Sequence, residues 1–340
     1  MIQANKTILM SHGSGGTQSR RLIRDLFFRA FDNEILNRES DSALCTLSSE
    51  NLAFTTDSFV VDPLFFPGAD IGKLAICGTV NDLSVSGAVP KYLSAAFIIE
   101  EGLDYEILEK VVNSMAETAK QAGIQVVTGD TKVVNRGKCD RLFITTTGIG
   151  ELRPEHRPIS TGETVEPGDK ILINGFIADH GCAVISARNE LKVEANIESD
   201  CAPLNALIQV VLAAGIRVKF MRDATRGGLA TVLAEMVQGR PFGAELIEDE
   251  IILRESVRGM CEFFGFDPLY VANEGKVVMI IHPEDAEKAV SLMRKNAFGE
   301  HTRIIGEVVD GHHGKAALQT QIGGKRIIDM IAGDQLPRIC

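Results

Sequence analysis

The chain has 340 residues, 45% hydrophobic and 24% charged, the balance of a soluble globular protein with room for two domains. Its formal net charge of −11 excludes a broad nucleic-acid surface, and no apolar run is long enough to span a membrane. Seven scattered cysteines without CxxC spacing exclude a disulfide framework and a cysteine zinc site, and they fit a reducing, cytoplasmic setting. In chain order, "SHGSGGT" precedes an amphipathic helix. The alternating, β-branched "NLAFTTDSFVV" predicts a strand. "IGKLAICGTVNDLSVSG" has helical spacing and stops at Gly87. "KYLSAAFIIE" predicts a strand, "DYEILEKVVNSMAETAKQAG" a helix closed by Gly123, and "IQVVTGD" and "RLFITTTGIG" two more strands. The polar, Pro- and Gly-rich "ELRPEHRPISTGETVEPGDK" marks a domain boundary. A second half then runs through strand "KILINGF", a helix over 180–190, a helix after "RDATRGG", and strands "VVMII" and "RIIGEVV". Beyond Val309 the pattern loosens, and the chain stops at "QLPRIC". The grammar predicts two α/β domains, with no GxGxxG after a strand to suggest a dinucleotide fold.

Aspartates cluster at the ends of apolar elements: Asp41, Asp57, Asp82, Asp130 and Asp223. Oxygen ligands suit a hard cation such as Mg²⁺, which commonly bridges carboxylates to phosphates. Aspartate also favours loops and helix starts for local reasons, so most of these positions have an ordinary explanation. Asp82 does not, because it interrupts an apolar helix, where an unpaired charge costs several kcal/mol, in order of magnitude. The loops "SHGSGGT" and "RDATRGG" each open a helix, where free N–H groups favour anions, and neither fits the GxxxxGK[ST] pattern. Together these features point to Mg-nucleotide binding. The terminal Cys340 is either incidental or a nucleophile on a mobile arm; ten extended residues from Ile331 would reach roughly 33 Å.

The stretches "HGSGG", "TTDSFVVDPLFFPG", "IGKLAICGTVNDLSVSGA", "TGDTKVV", "RDATRGGLA" and the terminal "PRIC" closely resemble the HypE family of hydrogenase maturation proteins. That family lies in the superfamily of aminoimidazole ribonucleotide synthetase and selenophosphate synthetase. The resemblance covers essentially the whole chain. It implies an N-terminal glycine loop and helix over 1–37, an ATP-binding and dimerising α/β domain over 38–152, and a second α/β domain over 165–312. A flexible tail over 326–340 would carry Cys340. It further implies a homodimer with ATP and Mg²⁺ between the domains. The metal positions would be Asp41, Asp57, Asp82, Asp130 and Asp223. The nucleotide would meet His12, Gly13, Gly15, Gly16, Asn81, Thr131, Lys132, Arg226 and Gly227. The activity implied is ATP-dependent dehydration of an S-carboxamide on Cys340 to a thiocyanate, with Lys132 and Glu274 as candidate catalytic groups. A HypF-like carbamoyltransferase would load the thiol, and a HypC–HypD-like iron scaffold would accept the cyanide for a [NiFe]-hydrogenase centre. Two alternatives remain at this point: another enzyme of the superfamily, such as a small-molecule kinase, or a non-catalytic nucleotide-binding scaffold.

Overall fold

The computed structural model describes residues 7–14, 16–40, 42–188, 196–330 and 338–340. After a short 3₁₀ turn at Met10–His12, one helical rod carries α1 (Gly16–Leu22), a π-helical stretch (Ile23–Phe28) and α2 (Arg29–Phe31). The N-terminal domain then builds β1 (Leu52–Phe59), a small hairpin of β2 (Phe65–Phe66) and β3 (Ala69–Asp70), and helix α3 (Ile71–Val85). It continues with β4 (Ala88–Glu100), α4 (Tyr105–Ala122), β5 (Gln125–Val134) and β6 (Leu142–Leu152). Its four-stranded sheet has the order β1-β6-β4-β5, with β4 and β5 parallel and the other pairs antiparallel. Helix α4 has the ends its sequence calls for. Asp104 accepts the Glu106 N–H at 3.0 Å, and Gly123 closes it in the left-handed region. Caps of the Asp104 kind contribute about 1 kcal/mol.

Helix α3 is buried on nearly all sides, because its apolar residues are not confined to one stripe. It lies on β1, β4 and β6, packs against α4, and reaches α6 (Asn205–Ala213) and β8 (Val218–Asp223) of the second domain. A residue on α3 can therefore face both domains at once.

The second domain begins with β7 (Lys170–Ile173) and α5 (Asp179–Ser186). After α6 and β8 come α7 (Gly228–Val237), β9 (Gly243–Ile247), α8 (Glu255–Phe264), β10 (Val277–Ile281), α9 (Ala286–Met293) and β11 (Arg303–Val309). Strands β12 (Ala316–Gln319) and β13 (Lys325–Ile328) complete a seven-stranded sheet of order β13-β12-β9-β11-β7-β10-β8. The apolar run "VVMII" is explained by burial on both faces. Val278 and Ile280 pack with α7, while Val277, Met279 and Ile281 pack with α6 and α9. The loosened pattern after Val309 still contains strands, and residues 326–328, expected to begin a tail, belong to the edge strand Lys325–Ile328. The short length of β12 and β13 hides them in the sequence.

Candidate active site at the domain seam

Asp57 and Asp82 meet across the contact between β1 and α3. Gly78 lies one turn before Asp82 and packs against the Phe59 ring; a Cβ there would stand 3.4 Å from Asp57 Oδ2. Asp82 Oδ2 accepts the Thr55 hydroxyl at 2.8 Å. Asp223 enters from the end of β8, where it pairs in register with Val277. Asp82 raises the proton affinity of Asp57, and both raise that of Asp223. Burial and then the charge of Asp82 lift Asp57 above its ordinary value, and burial likewise lifts Asp82. Asp223 is pushed up to about 7 by burial, by Asp82 and then by Asp57. Arg226, in the loop before α7, opposes this at both Asp57 and Asp82. Three acids that repel one another favour a cation between them. Among the described residues, though, no three carboxylate, His or Cys side chains converge tightly enough to hold a metal ion alone. A hard cation at these acids would need further oxygen ligands from outside the protein, as Mg²⁺ commonly takes from phosphate and water.

Gly227 shapes the adjoining loop. It has φ +70°, and a Cβ there would stand 2.0 Å from the Thr231 hydroxyl oxygen. Glu274 lies behind the acids, buried, with its proton affinity raised well above the ordinary by burial and then by the surrounding Cys201, Asp223, Asp200 and Asp57. Asp200 fixes it, accepting the Glu274 N–H at 3.0 Å and the Lys276 ammonium at 2.9 Å. Asn81, expected at the nucleotide, is used otherwise. Its amide donates to Ala202 O at 3.0 Å and Glu274 O at 3.4 Å, and its Oδ1 accepts the Leu204 N–H at 2.8 Å. Asn81 ties the two domains together, which is why an amide is buried mid-helix in α3.

Asp130, Thr131 and Lys132 form a second group. They lie on edge strand β5, whereas Asp57 lies on the opposite edge, β1. The row Asp57–Thr146–Ala95–Gly129 crosses the whole sheet. Three strand spacings separate its ends by roughly 14 Å. Within one subunit, Asp130 is therefore outside the Asp57–Asp82–Asp223 cluster. It pairs with Lys132 at 3.4 Å, and both side chains are mostly exposed. The N-terminal loop reaches this group. A Cβ on Gly13 would come within 2.3 Å of Val133 N, so only glycine allows that approach. His12 folds onto its own turn, its Nδ1 accepting the Leu9 N–H at 2.9 Å. Gly16 begins α1 with φ +76°. A cavity of about 270 Å³ between the α1 rod and β5 is lined by Gly13, Asp130, Thr131 and Lys132. It adjoins a larger cleft of about 950 Å³ bordered by Arg20, Arg21 and Arg24. Gly15 and Asp41 lie outside the described residues.

The chain end lies against the segment that follows β1. Val60 N donates to Cys340 O at 3.2 Å, and Asp62 N donates to Arg338 O at 3.4 Å. Arg338 reaches back to Val60 O at 3.0 Å and to Asp140. Ile339 is buried in the core shared by the N-terminal domain, α5 and α8. The last three residues are thus docked, three to five positions along the chain from Asp57. Sequence reasoning missed the docking side chain, His180, whose one signal is a histidine near the start of an otherwise apolar helix.

This fold and this acid-lined seam define a two-domain nucleotide-using protein of the AIR synthase kind. Residues 39–152 match the family described as AIR synthase related protein, N-terminal domain, and residues 166–319 match its C-terminal domain. The chain is 47% identical over 336 residues to the carbamoyl dehydratase HypE of Azotobacter vinelandii, covering 99% of this chain and 98% of that protein. It superposes with a TM-score of 0.93 on the hydrogenase maturation protein HypE in complex with ATP, at 48% identity, covering 98% of this chain and all of the other. A HypE–HypF complex matches with a TM-score of 0.78 and 49% identity, covering 91% of this chain and 99% of that one. The chain belongs to the HypE family of carbamoyl dehydratases.

Proposed function

We propose that this protein uses Mg-ATP to dehydrate an S-carboxamide on its own Cys340 to a thiocyanate, supplying cyanide for maturation of a [NiFe]-hydrogenase. The observation that carries this reading is the terminal cysteine docked beside the strand that bears Asp57, in a chain of this family. An amide oxygen is a poor leaving group, and ATP supplies the phosphoryl group that makes it a good one. The chain's own residues do the rest. Asp57, Asp82 and Asp223 would hold the magnesium that neutralises the phosphates. Arg226 and the helix start after Gly227 would face phosphate oxygens. Glu274, once ionised, would be a strong base for a proton of the carboxamide nitrogen as the nitrile forms, because its surroundings raise its proton affinity. Lys132 is a candidate for phosphate charge at the β5 edge. A scaffold that only binds nucleotide has no use for a buried carboxyl of this kind. Incubating chemically carbamoylated protein with Mg-ATP tests the reading: it requires the loss of one water from Cys340, whereas ATP hydrolysis with the carboxamide intact opposes it.

The partners follow from the same reading. A carbamoyltransferase of the HypF kind would load Cys340, and an iron scaffold of the HypC–HypD kind would take the cyanide. Seven cysteines without a disulfide suit a reducing cytoplasm, and among the described residues no helix is long and apolar enough to cross a membrane.

The pH dependence of cation binding follows from Asp223. Its carboxyl is raised in the folded chain, so the apo protein keeps that proton where the unfolded chain has lost it. The stability this gives is complete below the unfolded carboxylate value and is lost as pH rises through about 7. A cation reverses the preference and expels the proton. Mg-ATP is therefore expected to bind more tightly as pH rises from about 6 to about 8, with net proton release. Calorimetry in two buffers of different ionisation enthalpy measures this; an affinity independent of pH would remove Asp223 from the metal site.

A homodimer is also part of the reading. The family resemblance first implied it, and further support is the outer face of the N-terminal sheet. Phe54 is 73% exposed and pairs across strands with Ile149, which pairs with Tyr92; Ile98 pairs with Phe143 on the same face. The two apolar groups are separated on that face by Thr56, Thr147 and Ser94, and exposed apolar side chains grouped on a sheet face support an interface there. Phe54→Lys is expected to shift the protein from dimer to monomer at micromolar concentration with its fold intact, as read by sedimentation. A wild-type monomer would contradict the assignment.

A further inference from the structure

Resting on that reading, we propose that His180 is the positioning residue that seats the C-terminal Arg338–Ile339–Cys340 for dehydration. His180, the second residue of α5, is fully buried and meets the Phe66 ring edge to face at 5.4 Å between centroids. Its Nε2 lies 2.7 Å from Ile339 O, and its Nδ1 lies 2.8 Å from Ser199 Oγ. A carbonyl oxygen can only accept, so Nε2 carries the hydrogen. Burial holds the ring neutral, so Nδ1 is an acceptor and takes the Ser199 hydroxyl hydrogen. Ser199 Oγ in turn accepts the Cys201 N–H at 3.1 Å, and Ser199 N is tied to Pro67 O at 2.8 Å. The relay leaves one tautomer, and that tautomer points its donor at the penultimate carbonyl.

The remaining contacts define the seat. Val60 N and Asp62 N both donate to the chain end, to Cys340 O and Arg338 O, so two residues of one segment hold two of the other in opposite chain order. Arg188 joins them from the surface, donating to Arg338 O at 2.9 Å and to Asp62 O at 3.0 Å. His180 supplies the buried side-chain contact of this set, at the carbonyl of Ile339, the residue between the two that the backbone bonds hold. The loop that orients it also orients the candidate base, since Asp200, next to Ser199, accepts the Glu274 N–H. Loading of the thiol by another protein requires Cys340 to leave the seat, and dehydration requires it to return. Loss of a residue that only seats the end must slow dehydration without slowing loading.

The experiment uses the full-length protein with His180→Phe, which keeps a ring and removes the donor, and His180→Gln, which restores an N–H. Peptide-resolved alkylation by iodoacetamide reads the exposure of Cys340 without any catalysis. His180→Phe is expected to alkylate about tenfold faster than wild type, the size of one lost buried hydrogen bond. Dehydration of the carbamoylated protein should slow by about tenfold or more. Loading by the carbamoyltransferase should equal or exceed wild type, Mg-ATP should still raise the melting temperature, and His180→Gln should recover much of the loss. If His180→Phe does not fold, Ser199→Ala, which frees the tautomer, should give the same pattern at smaller size. An alkylation rate unchanged in these variants overturns the proposal, as does a uniform slowing of both half-reactions. A wild-type protein that never loses water refutes the functional reading instead, and alkylation alone then judges the seat.

Discussion

A Cys340→Ala protein is expected to bind Mg-ATP as wild type does and to form no thiocyanate at all. The sulfur is the atom that carries the carboxamide, while the acids and the Arg226 loop are held by β1, α3, β8 and α7. Removing the thiol deletes the substrate and leaves the nucleotide residues in place. Ile339 remains buried in the shared core, and Val60 still donates to the terminal residue's carbonyl, so the end should dock without its sulfur. Thermal shift with Mg-ATP and intact mass after loading check the two halves. A cyano adduct on another of the six remaining cysteines would contradict the assignment of Cys340.

Extending the chain beyond Cys340 is the second large effect. Six histidines added at the C-terminus keep the thiol but replace the terminal carboxylate with a neutral peptide group. They also continue the chain past a seat whose last backbone bond is Val60 N to Cys340 O. A displacement of about 1 Å at a reacting group can cost on the order of a hundredfold in rate. Dehydration is expected to fall by at least that factor, whereas the same tag before Met1 should be tolerated. The comparison is made on chemically carbamoylated protein, so that partner recognition does not enter. Wild-type water loss from the extended chain would show that the end need not be free.

Much of the fold was legible because its signals are local. Asp104 and Gly123 bound α4 in the sequence as they do in the structure, and "NLAFTTDSFVV" alternates because one face of β1 meets α3. Asp82 was the aspartate singled out as having no local reason to be where it is, and it proved to face Asp57 and Asp223. The misses are long-range. Nothing local shows that β1 and β5 are opposite edges of a sheet, which puts Asp130 three strands away from Asp57. Asn81 looks like a nucleotide contact until its three partners in the second domain are seen. His180 shows its role only when Ile339, 159 residues later, lies against it. The terminal cysteine was read as a mobile arm; the structure adds that the arm has a defined place to dock.

The most direct measurement follows wild-type protein through both half-reactions at residue resolution. The protein is incubated with the carbamoyltransferase and carbamoyl phosphate, then with Mg-ATP, and the C-terminal peptide is weighed at each stage. The account predicts a carbamoyl group on Cys340 in the first stage and the loss of one water from that same residue in the second, dependent on both ATP and Mg²⁺. A carboxamide that persists on Cys340 while ATP is turned over, or an adduct that forms elsewhere, would contradict it.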